Sequence, residues 1–172
     1  NTGTIPANGS PIWGWGKIDA HEGIKDLLTK IPPQPTITPS GSVSVCQGQT
    51  ITLSAPSGFS SYLWSNGATT QSINVSSAGS YTVRVTNNQG YISPWSAPKV
   101  VTINPKPNAP TFAPTSGCSP LTVTASSSNC TGCSYQWSTG ASGTTATFTA
   151  NTNFTVTVTN SNNCTTSANG SV

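Results

Sequence analysis

The run Tyr62-Leu63-Trp64-Ser65 returns as Tyr135-Gln136-Trp137-Ser138. Tyr81-Thr82-Val83 returns as Phe154-Thr155-Val156, and Val85-Thr86-Asn87 as Val158-Thr159-Asn160. All three pairs are 73 residues apart, and Cys46 and Cys118 are 72 apart. A constant offset across separate landmarks marks a duplicated domain, and this period is too long for a solenoid unit. Within each copy, short runs alternate apolar and polar residues: Ile51-Thr52-Leu53-Ser54-Ala55, Tyr81 to Val85 and Phe154 to Val158. Successive side chains of a strand face opposite ways, so this alternation predicts antiparallel strands with one buried face. Asn66-Gly67 and Thr139-Gly140 follow the two Trp-Ser pairs, where glycine admits the positive φ of a tight turn.

Outside the repeats the chain is punctuated by proline. Ile31-Pro32-Pro33-Gln34-Pro35 and Asn104-Pro105-Lys106-Pro107-Asn108-Ala109-Pro110 lack most of their N–H donors and lean to polyproline II, the composition of semi-rigid spacers. They divide the 172 residues into a stub (1–30), a linker (31–36), a first repeat (37–104), a second linker (105–110) and a second repeat (111–172).

Each repeat resembles an immunoglobulin-like domain. Gly48 to Ala55 is similar to that fold's strand B, Trp64 to its strand C tryptophan, and Ala78-Gly79-Ser80-Tyr81-Thr82-Val83 to strand F with its tyrosine corner. Ala55 and Val83 stand where antibody domains carry their inter-sheet cysteines. Ala125, Trp137 and Val156 repeat the pattern, with Phe154 in place of the corner tyrosine. The resemblance covers about three quarters of the chain and implies two tandem all-β sandwiches, with cores packed around tryptophan rather than a disulfide. Gly90 to Ser96 also echoes fibronectin type III domains, a related sandwich. Such repeats are strung along secreted bacterial enzymes and adhesins.

The stub carries a second resemblance. Thr2-Gly3-Thr4-Ile5-Pro6 and Trp13-Gly14-Trp15-Gly16-Lys17-Ile18-Asp19-Ala20 look like the last segment of subtilisin-like serine protease domains, which leads into a closing helix. Local physics predicts a helix over about 19–29. Asp19 suits its start, Ala20, Ile24, Leu27, Leu28 and Ile31 form one stripe, and Glu22 early and Lys30 late suit the dipole. That family's catalytic Asp, His-Gly histidine and Gly-Thr-Ser serine have no counterpart here, and the sole histidine, His21, lies in an Ala-His-Glu context. A Ser/His/Asp mechanism needs all three groups within hydrogen-bond reach, so this chain is expected to be non-catalytic.

Composition narrows the partners. Six of the nine charged residues lie in the first thirty positions, and after Asp26 the chain has no acid, only Arg84, Lys99 and Lys106 beyond Lys30. No basic cluster fits nucleic acid, no apolar run spans a bilayer, and no leader pattern opens the chain. Calcium wants several carboxylates, and a lone Cys130-Thr131-Gly132-Cys133 leaves zinc short of ligands, so neither a metal nor a cofactor is expected. Turn residues around that pair also disfavour thioredoxin-like chemistry.

Since 91 plus 73 is 164, Cys118 and Cys164 fill the places held by Cys46 and Tyr91 in the first repeat. The offset therefore predicts bridges Cys118–Cys164 and Cys130–Cys133, with Cys46 free, in an extracellular or cell-surface, monomeric setting. The expected role is an accessory spacer beside an upstream protease domain in the same chain. The competing role is a module gripping carbohydrate, polymer or another substrate through Phe59, Tyr91 and Trp95.

Overall fold

The alternating runs become strands in the computed structural model, which describes residues 20–172. A helix, α1 (Ala20–Lys30), precedes them; the Thr2–Pro6 and Trp13–Asp19 segments on which the protease resemblance rests lie outside the described residues. The first repeat forms β1 (Val43–Cys46), β2 (Ile51–Ser54), β3 (Ser61–Trp64), β4 (Ser72–Val75), β5 (Gly79–Tyr81), β6 (Val83–Thr86) and β7 (Lys99–Asn104). The second forms β8 (Thr111–Ala113), β9 (Leu121–Ser126), β10 (Ser134–Trp137), β11 (Thr145–Phe148), β12 (Asn153–Thr159) and β13 (Thr165–Ser171).

In the second repeat one sheet runs β8-β9-β11 and the facing sheet β10-β12-β13, all antiparallel. In the first, β2 pairs with β4 and is flanked by a bridge between Thr38 and Ser54. Opposite lie β3 on β6, β5 on β7, and β1 parallel to β7. With β5 and β6 read as one strand interrupted at Thr82, both repeats set strands A, B and E against C, F and G. The chain is all-β, two tandem immunoglobulin-like antiparallel sandwiches behind a short helix.

Trp64 and Trp137 sit at the centres of the two cores, each 1% exposed. Their indole N–H groups donate to Thr70 O at 2.8 Å and Gly143 O at 2.9 Å, so neither ring buries an unpaired donor. Ala55, Val83, Ala125 and Val156 are buried in the positions that cysteines fill in antibodies. The cores differ in character. Around Trp64 the packing is aliphatic, with Leu53, Ile73, Val75 and Val101. Around Trp137 it is aromatic, with Phe112, Phe148 and Phe154 at centroid distances of 5.0 to 6.3 Å from their neighbours. The corner chemistry explains part of this. Tyr81 donates its hydroxyl to Ser77 O at 3.1 Å and stays half-exposed, whereas Phe154 has no polar tip and is buried.

Strand A of the first sandwich switches sheets. After its bridge to Ser54, the chain crosses over through Pro39–Gly41 and runs on as β1 beside β7. Lys99, buried at the start of β7, secures that crossover by donating its ammonium to Pro39 O and Gly41 O. On the open edge of β6, Pro94 and Pro98 prevent a regular ladder. Ser93 and Ser96 replace it, each using its backbone N–H and its hydroxyl oxygen to bond Val85 and Val83 respectively.

Candidate functional site at the joint between repeats

The polar chemistry of this chain gathers where one repeat meets the segment in front of it. Linker residues 105–110 are rich in proline, so they offer carbonyl acceptors with few donors to satisfy. Those carbonyls are taken up by the second sandwich. Just before the linker, Asn104 O at the end of β7 accepts Gln47 N–H at 2.8 Å, which completes the first sandwich's own edge. From the second sandwich, Asn160 Nδ2 donates to Pro105 O at 2.9 Å, Thr166 Oγ1 to Pro107 O at 2.7 Å and Ser127 Oγ to Asn108 O at 2.6 Å.

Asn160 is the keystone of its turn. Its side-chain oxygen accepts the N–H groups of Asn162 and Cys164, both at 3.0 Å, so the β12–β13 turn is shaped by the same residue that holds the linker. Asn163 takes φ 59°, a left-handed conformation that asparagine tolerates better than most residues. The first repeat builds the same device. Asn87 Oδ1 accepts Gln89 and Tyr91 N–H at 3.0 Å, Gly90 takes φ 85°, and Asn87 Nδ2 donates to Lys30 O at 2.9 Å. Each sandwich is thus clamped by its F–G asparagine to the backbone ahead of it: the second to the linker, the first to the end of α1. At that end of α1, the Asp26 carboxylate hydrogen-bonds the Lys30 ammonium and raises its pKa from the ordinary value.

A disulfide closes the same joint. Cys46, at the end of β1, is bonded to Cys164 in the F–G turn of the second sandwich, 118 residues away, with Cα atoms 5.5 Å apart. This corrects the expected Cys118–Cys164 pair and the expected free Cys46. The repeat offset aligns Cys118 with Cys46 in sequence and leaves open which pole of the sandwich each position occupies. Strand A runs from the pole where the chain enters to the far pole. There Cys118 is exposed, beside Ser119, which bonds Thr149 O, and near Val172 at the end of the last strand. The F–G turn is at the entry pole. Within one sandwich the two cysteines therefore lie at opposite ends, while across the joint the far pole of the first repeat meets the entry pole of the second. Cys130 and Cys133 are joined to each other between β9 and β10.

The three aromatics considered for ligand contact have different neighbours. Phe59 packs edge-on against Tyr62 at 6.4 Å, and Trp95, 40% exposed, lies over the Arg84 guanidinium at 4.9 Å. Tyr91 sits in the F–G turn of the first repeat, where Asn87 accepts its N–H. Among the described residues no group of three His, Cys, Asp or Glu side chains could hold a metal, and no helix is long and apolar enough to cross a membrane. The clamp asparagines were within the repeated Val-Thr-Asn signature. Their constancy at the F–G turn was a signal, but the carbonyls they reach lie 55 or more residues away.

No protein-family model matches the chain, and no curated protein does. Among solved structures it is similar to a 1.5-MDa bacterial ice-binding adhesin, at 17% identity and TM-score 0.34 over 82% of this chain and 64% of that one. It is also similar to immunoglobulin domains 1–4 of Sidekick-1, at 14% identity and TM-score 0.30 over 81% of this chain and 48% of that one. The chain thus spans less than two thirds of the length of either.

Proposed function

We propose that this chain is the accessory spacer on the C-terminal side of an extracellular subtilisin-like serine endopeptidase. It acts by geometry rather than by chemistry of its own. The observation that carries the reading is the repeated clamp: Asn87 fixes the first sandwich on Lys30 O as Asn160 fixes the second on Pro105 O. A device that orients each module on the backbone before it, including the end of the helix, belongs to an arm that holds something at a set angle. Two features support the reading of what is held. The Trp13 to Ala20 run resembles the end of a subtilisin-like domain, and α1 leaves Leu27 and Leu28 48% and 63% exposed, an apolar stripe fit to pack on such a domain. Disulfides fit an oxidising, extracellular setting.

The test compares a polypeptide that carries the proposed upstream domain ahead of these 172 residues with the 172 residues alone. The longer polypeptide is expected to react with a fluorophosphonate at one serine in a Gly-Thr-Ser context and to hydrolyse casein; the 172 residues alone are expected to do neither. An upstream sequence with no such serine overturns the protease assignment. A second reading, binding of an insoluble polysaccharide, draws on the exposed Trp95 face. Retention of the chain on such a polymer, released by Trp95→Ala, would replace the spacer reading with that one.

A further inference from the structure

The Cys46–Cys164 bond sets a covalent path through the molecule that avoids most of its residues. We propose that it makes the two sandwiches a nearly inextensible tension element, in which a pull on the ends bypasses residues 47–163. The path is read from the strand directions. Tension entering from α1 passes Pro32, Pro33 and Pro35 and continues down strand A of the first sandwich, through the Thr38 bridge and β1, to Cys46 at the far pole. It crosses the disulfide to Cys164 at the entry pole of the second sandwich and runs down β13 to the far pole there. The segments under tension are a proline stretch, the two strands and the short Pro39–Gly41 crossover; only that crossover departs from extended chain, so they have little length to give.

What the bond shields is large. The bypassed loop, with Cys46 and Cys164 118 positions apart, would add roughly 400 Å of contour if it could unravel, at about 3.3–3.6 Å per extended residue. The polar clamps at the joint act alongside the bond. Asn160 and Thr166 hold the linker on the second sandwich, so the two sulfurs are presented to each other without the chain having to order itself first. A second consequence is shared with the first: a proteolytic cut anywhere in 47–163 leaves the two ends of the chain covalently joined. Both consequences follow from the bond and the topology, whatever precedes or anchors the chain.

Single-molecule stretching of the 172-residue chain, held by handles at its two ends, tests the proposal. Oxidised protein is expected to show no release from the shielded loop. Addition of a phosphine reductant under load should then free an additional length of roughly 400 Å. Cys164→Ser should release that length without reductant; if it folds poorly, reduction of the wild type gives the same reading. A nicked, oxidised sample should run as one species on a non-reducing gel and as two after reduction. Release of both sandwiches in full from oxidised protein overturns the proposal. So does a shielded length of only about 160 Å, which a bridge spanning Cys118 to Cys164 would give.

Discussion

Among the cysteines, position on the sandwich decides chemistry more than sequence spacing does. Cys164 is fully buried at the joint and bonded to Cys46, whereas Cys118, 72 residues after Cys46, is exposed at the far pole and unbonded. An accessible thiol reacts through its thiolate at mildly alkaline pH, and a disulfide does not react with iodoacetamide at all. Native, oxidised protein should therefore take up one equivalent of iodoacetamide, on the peptide containing Cys118, before any unfolding. Mapping without reduction should link the Cys46 and Cys164 peptides. A Cys118 peptide linked to Cys164, or a label on Cys46, would refute the joint as described. Asparagine carries the rest of the residue-scale chemistry, because its amide offers a donor to the linker and an acceptor to its own turn at once.

At the scale of strands, the two repeats solve one problem with different side chains. On β12, Phe154 lies directly opposite Gly170 of β13, and its ring covers the bare backbone there. A Cβ on Gly170 would stand 2.5 Å from Phe154 Cζ and 3.0 Å from Phe112 Cδ2. The ring is buried among Trp137, Phe148 and Phe112 and has nowhere to go. Gly170→Ala is therefore expected to destabilise the second sandwich by about 1–3 kcal/mol through overpacking, although alanine is ordinarily no worse than glycine in a strand. A lower denaturation midpoint for that sandwich alone checks this, and an unchanged or raised midpoint would contradict the packing. The strands and the two core tryptophans were legible in the sequence because a period of two and a duplicated Trp-Ser turn are local signals. The crossover of strand A was not. It depends on Lys99 reaching Pro39 and Gly41 some sixty residues away, and a lone lysine in a Pro-Lys-Val run reads as a surface charge. The joint was hidden for the same reason, since its partners are backbone carbonyls that no side-chain pattern records.

For the whole molecule, the unusual feature is a joint built almost without charge. From residue 37 onward the chain has three cations, Arg84, Lys99 and Lys106, and no acid, so no ion pair between side chains can bind one sandwich to the other. What holds them is a covalent bond and three side-chain hydrogen bonds from the second sandwich to linker carbonyls. Interactions between exposed charges fade over a Debye length of ~10 Å at 0.1 M salt and ~3 Å at 1 M, whereas short neutral hydrogen bonds and a disulfide are indifferent to it. The relative placement of the two sandwiches should therefore be independent of ionic strength. Small-angle scattering of oxidised protein is expected to give superimposable profiles at 50 mM and 1 M sodium chloride. The bond and the clamps should act in parallel. Cys46→Ser alone leaves the linker pinned by Asn160 and Thr166, and Asn160→Ala alone leaves the disulfide, so each single variant should broaden the distance distribution only slightly. The double variant removes both restraints and should show a larger maximum dimension with a second, extended population. A salt-dependent wild-type profile would mean that charge, not this joint, sets the arrangement. A double variant indistinguishable from wild type would mean that the sandwiches are held by a surface other than the one formed by Cys46, Asn160 and the proline linker.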